Sequence, residues 1–279
     1  MRLLTRIRTK LADLRAYPRL AWGARDHREL WILGLVQHRV PGSRFAAALL
    51  AGRGRVVTPR LTLTHGQRIR VELDQPGQRD VFRELFLERI YDLDLVGFRP
   101  SLVLDCGAYC GYFSAMAAGA YPEAEIVCFE ANPSHIAMLG AQLALLDRRV
   151  ELRAAAVHVR DGTVEFSGSG TGGAISDAVS EGGTRVPCVD LPKLMKSRSP
   201  TALVLKMDVE GAELQLLPAM LAVVPSATVV FLETHYPDVT CESLLAPYAA
   251  AGFSVREIRR RVAAGKDFCY VEWVLSRRP

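Results

Sequence analysis

Four short stretches of this 279-residue chain hold residue types from which chemistry could be built. The first is Asp105-Cys106-Gly107-Ala108-Tyr109-Cys110-Gly111, which follows an apolar run. Gly107 and Gly111 permit a tight strand-to-helix turn with close backbone approach, and a helix starting after them presents free N–H groups to an anionic ligand group. The third glycine of Gly-x-Gly-x-x-Gly is missing and no Lys-Ser/Thr follows, so the loop fits neither the dinucleotide fingerprint nor the P-loop. A plain strand-to-helix turn is the competing reading of the loop taken alone. About 20 residues further on, Phe129-Glu130 ends a second apolar run, where a carboxylate can accept hydrogen bonds from a ribose diol. Asp105 would repel a pyrophosphate but suits an amino group or a sulfonium cation. A ribose and a cation together point to S-adenosylmethionine as the cofactor.

The other two stretches are Lys206-Met207-Asp208-Val209-Glu210-Gly211-Ala212-Glu213 and Glu233-Thr234-His235, each closing an apolar run. Strand alternation puts Lys206, Asp208 and Glu210 on one side, and Glu233 with His235 likewise. Ligands of an open α/β sheet sit at the carboxyl ends of its strands, so these groups are expected to meet at one rim as a site for proton abstraction or metal binding. A surface ion-pair cluster is the competing reading. His235 has the ordinary pKa best suited to a general base, while Asp208 or Glu210 could orient it or hold a divalent metal that acidifies a hydroxyl. The residues alone do not choose between these roles.

Elements able to position such groups follow from the hydrophobic pattern. Apolar runs at 101–105, 125–130, 150–156, 202–208 and 228–235 read as buried strands, and helical segments at 112–120, 134–146, 212–223 and 241–251 separate most of them. A doubly wound parallel sheet results, closed by an antiparallel pair at 253–258 and 268–276. The Gly/Ser-rich stretch 167–177 is expected to be a mobile loop over the sheet edge. Ahead of these lie a basic amphipathic helix over residues 1–20 ending near Pro18, a second helix at 27–37 and a turn at Pro41-Gly42. A β-hairpin over 60–73 turning at His65-Gly66, a turn at 74–77 and an amphipathic helix over 80–93 follow. That last helix is predicted to bury Val81, Phe82, Leu85, Phe86 and Ile90, with Glu84, Glu88 and Tyr91 on its opposite face.

The strings VLDCGAYCGYFS, VCFEANP, LVLKMDVEGAE and FLETH, in this order and spacing, resemble the FkbM-type S-adenosylmethionine-dependent methyltransferases. The resemblance runs from Asp80 to about Asp238, and Lys-x-Asp-x-Glu-Gly-x-Glu is its most specific element. It implies a Rossmann-like class I methyltransferase fold: a doubly wound seven-stranded sheet with a terminal antiparallel strand pair, here preceded by a helical and hairpin N-terminal extension. Residues 1–79 would be the basic extension and 80–279 the methyltransferase domain. By the same resemblance Asp105, Gly107, Ala108 and Gly111 match the cofactor loop, Glu130 the ribose-binding acid, Asn132 its neighbour near the adenine, and Asp208 and Glu210 the active-site acids. Tyr109 stands where the family commonly has Asn and Ala131 where it commonly has Pro, so Tyr109 is expected to stack on the cofactor or close its pocket. The usual reaction is O-methylation of a hydroxyl on a sugar, glycan or natural product. The expected catalytic set is Asp208, Glu210, Glu233 and His235.

Composition sets the remaining bounds. With 49% hydrophobic and 23% charged residues the chain can bury a core without disulfide or metal staples. No run approaches the ~20 apolar residues of a membrane span, and Arg2, Arg6, Arg8 and Lys10 interrupt the apolar stretch a secretory signal would need. A cytoplasmic location is expected, with peripheral membrane contact through residues 1–20 as the alternative to packing of that helix on the catalytic domain. The net charge of +5 is uneven: residues 1–70 carry 15 Lys/Arg against 3 Asp/Glu, and the rest 20 against 27. An acidic remainder argues against a nucleic-acid partner, although an RNA methyltransferase using the basic segment is a competing reading. A non-catalytic membrane-surface protein retaining the fold is another, opposed by the rim acids. A nicotinamide dehydrogenase is disfavoured by the incomplete glycine fingerprint. The six cysteines lack Cys-x-x-Cys spacing, so a structural zinc site is not expected, and Pro187-Cys188 reads as structural.

Overall fold

The computed structural model describes residues 12, 14–24, 26–38, 56–146, 150–169, 172–176, 183–262 and 269–278. The chain divides into two units, one of residues 1–89, 110–122 and 141–149, the other of residues 90–109, 123–140 and 150–279. In the first, Tyr17 stacks on Phe82 with ring centroids 5.8 Å apart, Phe82 meets Phe86 at 4.8 Å, and Tyr112 lies edge-on to Phe82. Helix α1 (His27–Gln37) forms where its apolar spacing predicts. The expected helix over residues 1–20 lies largely outside the described residues. Its described end is helical to Ala16 and then tightens into a 3-10 turn, Tyr17–Leu20, which contains Pro18. The turn expected at Pro41-Gly42 lies outside the described residues.

The predicted hairpin is shorter than its alternation implies. Strands β1 (Val56–Val57) and β2 (Val71–Glu72) pair antiparallel, Arg60 bridges Arg68, and the chain turns at His65 and Gly66, both left-handed. Between them Thr62–Thr64 is a 3-10 turn, because the Thr64 hydroxyl donates to the main-chain carbonyls of Leu61 or Gln67 and offers the backbone an alternative to a ladder. Helix α2 (Pro76–Phe82) starts earlier than predicted, with proline in its first turn, and runs into a π turn over Arg83–Leu87. The helix therefore ends before Tyr91. That ring was expected on the outer face but is 2% exposed and lies 6.0 Å from Phe231. Helix α3 (Tyr112–Ala120) completes the first unit's regular elements.

The second unit contains a seven-stranded sheet. Strands β3 (Leu102–Cys106), β4 (Glu125–Phe129), β5 (Glu151–Arg153), β10 (Ala202–Met207) and β11 (Ala227–Thr234) are parallel, and β13 (Cys269–Arg277) runs antiparallel between β11 and β12 (Ser254–Val262). The order across the sheet is β12-β13-β11-β10-β3-β4-β5. Strand alternation sends Leu104, Cys106, Leu205, Met207 and Leu232 into a core shared with Leu191, Leu217 and Leu245 of helices α5 (Leu191–Arg198), α6 (Glu213–Leu221) and α7 (Asp238–Ala250). The intervening positions, Asp105, Lys206 and Glu233, face the opposite way and are also buried. Helix α4 (Ile136–Leu143) follows β4 in sequence.

Two expectations are corrected here. The run 150–156 is not one strand: Ala155 N donates to Arg153 O, the chain turns, and β6 (Ala156–His158) joins a different sheet. Nor are residues 167–169 and 172–176, the described part of the stretch expected to be a loop, without regular structure. They belong to β7 (Gly162–Ser169) and β8 (Gly172–Ser176), which with β6 and β9 (Thr184–Asp190) make a four-stranded sheet of order β6-β9-β7-β8. Val164, Val186 and Cys188 are its core, so Cys188 is structural as read. Glycine there serves close packing, since a Cβ on Gly173 would lie 2.4 Å from the Phe166 ring. Among the described residues no helix is long and apolar enough to cross a membrane, and five cysteines are free thiols.

Candidate active site

Parallel register brings the chemistry to one edge. Lys206 pairs with Asp105 and Met207 with Cys106 and Leu232, so Gly107 and Asp208 leave their strands level with Glu233, which is still within β11, and Glu130 leaves at the same level beyond Phe129. The loop after β3 is held by its backbone: Gly107 N and Ala108 N both donate to Phe129 O, at 3.1 and 2.8 Å. Gly107 has φ +79°, and a Cβ there would lie 1.9 Å from Asp208 O, so any side chain would force the loop and the end of β10 apart. Tyr109 also sits left-handed, at φ +48°, with its N–H donating to Glu130 Oε2 at 2.7 Å. Gly111, in the first unit, is left-handed at the N-cap of α3.

Glu130 accepts a second backbone hydrogen bond, Asn132 N to Oε1 at 2.8 Å. Since a carboxylate offers about four lone-pair sites, two remain for a ligand diol. The Asn132 side chain is engaged locally: its Oδ1 accepts from Ser134 N and Oγ, and its amide meets His135 Nε2 at 3.2 Å. His135 also approaches Glu130 Oε1 at 3.4 Å and stands edge-on to Tyr109 at 4.7 Å. The sequence reading passed over His135, although its place three residues after Asn132 on a short helical turn was a usable signal.

A cleft open to solvent lies among these groups. Gly107, Tyr109, Glu130 and Asn132 line it together with Asp208 and Glu210, and Phe166 and Ile175 of the second sheet complete an apolar wall. Of the site residues expected from the sequence, Gly107, Tyr109, Glu130, Asn132, Asp208 and Glu210 line this cleft, whereas Asp105, Ala108, Gly111, Glu233 and His235 do not, and Asp105 is fully buried beside Lys206.

Glu233 and His235 stand within a charged cluster. His235 Nε2 is 3.4 Å from Glu233 Oε1 and 3.6 Å from Glu210 Oε2. Burial opposes the imidazolium, but Glu233, Asp208 and Glu210 outweigh it and push the His235 pKa up to about 9. Burial, with Asp208 and Glu233 as like charges against the opposing His235, pushes Glu210 up to about 7. Burial and then Asp208 likewise raise Glu233, which also accepts hydrogen bonds from Tyr91 Oη and Arg261 Nη2. Among the described residues Asp208, Glu233 and His235 are the group whose ligand-type atoms lie mutually within 4.8 Å, the spacing a metal ion could draw together. Burial and the adjacent Asp105 push the Cys106 thiol far up, so it is inert.

Glu213 was not assigned a role from the sequence. Fully buried, it accepts from Val209 N at 3.0 Å, Gly211 N at 2.8 Å and Tyr236 Oη at 2.8 Å. It thereby closes the turn that presents Glu210 at φ +54°, a backbone conformation costing ~1–3 kcal/mol in a non-glycine residue.

The sheet order with one reversed strand, the glycine turn and the acid at the end of the second strand define a class I S-adenosylmethionine-dependent methyltransferase. Residues 105–262 match the family described as the Methyltransferase FkbM domain, and the chain belongs to that family. No curated protein matches the sequence. Among solved structures, the chain is similar to methyltransferase FkbM from Methylobacillus flagellatus KT at 14% identity, covering 92% of this chain and 62% of that one with a TM-score of 0.44. It is also similar to TYW2 of P. horikoshii in complex with MeSAdo, at 15% identity over 86% of this chain and 83% of that one, TM-score 0.45. The family assignment rests on the sequence match and not on these distant likenesses.

Proposed function

We propose that the protein transfers the methyl group of S-adenosylmethionine to a hydroxyl of a sugar, glycan or natural product. The carrying observation is that one cleft is lined both by Glu130, with lone pairs to spare, and by the paired acids Asp208 and Glu210. The chain's residues fit the cofactor: Glu130 takes the ribose diol and the Gly107-Ala108 backbone gives close approach, whereas Asp105, expected to face the cofactor's cations, is buried against Lys206 and does not line the cleft. When bound, S-adenosylmethionine supplies a methyl carbon activated by the sulfonium, which an acceptor oxygen attacks in line.

This chain's own contribution is positioning and proton removal. Glu210 lines the cleft and takes the hydroxyl proton as the new C–O bond forms and the C–S bond breaks. His235, expected from its type to be the base, does not line the cleft, and as an imidazolium it orients Glu210 and balances its charge. A metal-assisted version has one observation in its favour, the convergence of Asp208, Glu233 and His235. A divalent ion held there would acidify the hydroxyl directly.

The test is transfer of labelled methyl from S-adenosylmethionine to a panel of sugars, glycans and polyketide alcohols. Glu210→Gln should lose at least a hundredfold in turnover with cofactor affinity within about threefold. Label recovered only on nitrogen, carbon or nucleic acid refutes the reading. Activity abolished by a chelator and restored by a divalent ion selects the metal version, and indifference to chelation selects direct proton transfer.

A further inference from the structure

A lysine sealed from water is uncommon, because desolvation opposes its charge, and it needs a structural reason. Lys206 is 5% exposed. Burial works to lower its pKa, but the carboxylates of Asp208, Asp105 and Glu233 outweigh that and hold it above the ordinary lysine value. Its Nζ lies 3.4 Å from Asp208 Oδ2 and 3.8 Å from Asp105 Oδ1, and it donates to the main-chain carbonyls of Gly107 and, at 3.4 Å, Cys106. The Tyr91 ring, 5.8 Å away, covers it. One ammonium thus ties the end of β10 to the first two peptides of the loop after β3.

The Gly107 peptide is gripped from two sides. Its N–H donates to Phe129 O, and its carbonyl accepts from Lys206. Asp208 O occupies the space where any Cβ on Gly107 would go. The loop's shape therefore depends on a point donor at the position of Nζ, which a hydrophobic replacement of equal length cannot supply. We propose that Lys206 is a positioning residue that holds the Gly107-Ala108 backbone in its cofactor-receiving shape.

This rests on the reading that the loop receives S-adenosylmethionine. It also differs from an ordinary buried ion pair, whose replacement leaves ligand affinity alone. The experiment measures, by calorimetry on the full chain, the affinities for S-adenosylmethionine and for S-adenosylhomocysteine, which is neutral at sulfur, in wild type, Lys206→Met and Lys206→Gln. Folding of each variant is checked by its thermal transition. The expected result is a loss of at least tenfold for both ligands in the Met variant, with partial rescue in the Gln variant, whose carboxamide still offers a donor toward Gly107 O. If the Met variant does not fold, the Gln variant decides: a threefold or greater loss for both ligands supports the proposal, and no loss overturns it. Unchanged affinity in a folded Met variant overturns it too. So does a loss confined to S-adenosylmethionine, since the ammonium would then act through charge on the sulfonium rather than on the loop. Failure of the wild type to bind either ligand removes the cofactor reading itself, a result distinct from all of these.

Discussion

Replacing Glu213 by Gln tests how the acidic turn is held. The substitution keeps side-chain length and volume but turns one of two acceptor oxygens into an NH₂ group. The structure leaves no benign choice of orientation. If the amide nitrogen replaces Oε2, it meets both Gly211 N–H and the Tyr236 hydroxyl, and if it replaces Oε1 it meets Val209 N–H. Either way at least one buried N–H faces another donor, at ~1–3 kcal/mol, and the surviving bonds lose their charge assistance. A total destabilisation of about 2–4 kcal/mol follows. The Tyr236 hydroxyl can reverse to act as an acceptor, which favours the lower end. With its turn released, Glu210 no longer has the support that offsets its left-handed backbone, so turnover should fall more than the affinity for cofactor. Urea denaturation followed by circular dichroism reads the first effect, and methyl transfer with calorimetry reads the second. A Glu213→Gln protein within ~0.5 kcal/mol of wild type would refute the assignment of these three hydrogen bonds as the support of the turn.

Gly107→Ala should fold but bind S-adenosylmethionine at least tenfold more weakly by calorimetry, because its Cβ would sit 1.9 Å from Asp208 O at a left-handed φ. Undiminished affinity would mean that the loop moves freely. Glu151 is buried enough to be raised, yet Arg153 and Arg198 outweigh burial and hold its carboxyl below the usual range. Because the folded pKa is depressed, its stabilisation is present above pH ~4.5 and is lost as pH falls through the folded value. Glu151 is a third exposed, so Glu151→Gln should cost at most ~1 kcal/mol at pH 7 in urea titrations, and the difference from wild type should close at acid pH. A difference that persists below pH 3 would show that charge is not its origin.

Strands whose sequence carries a continuous apolar run were legible: 102–106, 125–129, 202–207 and 227–234 lie within a residue or two of their predicted limits, since a strand buried on both faces has no polar alternation to obscure it. The second sheet was not. Its strands β7 and β8 are glycine-rich, with Phe166 and Ile175 as sparse apolar points in a polar surround, which is also the composition of a loop. At the site, residue types at strand ends were enough to foresee that Asp208, Glu210, Glu233 and His235 would gather. They could not reveal that His235 gathers too many carboxylates to remain neutral, nor which acids face the cleft. Glu213 and Lys206 were visible in the same string as Asp208 and Glu210, but their partners are backbone groups of turns whose shape the sequence does not display. Tyr91 was misplaced because the helix carrying it stops at a π turn, a local break without a proline or glycine to announce it.

The cofactor cleft is tested most directly by calorimetric titration of S-adenosylmethionine into the wild-type protein and into Glu130→Ala. Wild type should bind, and the variant, folded by its thermal transition, should bind ~1–3 kcal/mol more weakly through loss of charge-assisted bonds to the ribose and of the grip on Tyr109 N–H. Equal affinity in the two proteins, or no binding by wild type, would contradict the placement of the cofactor against Glu130.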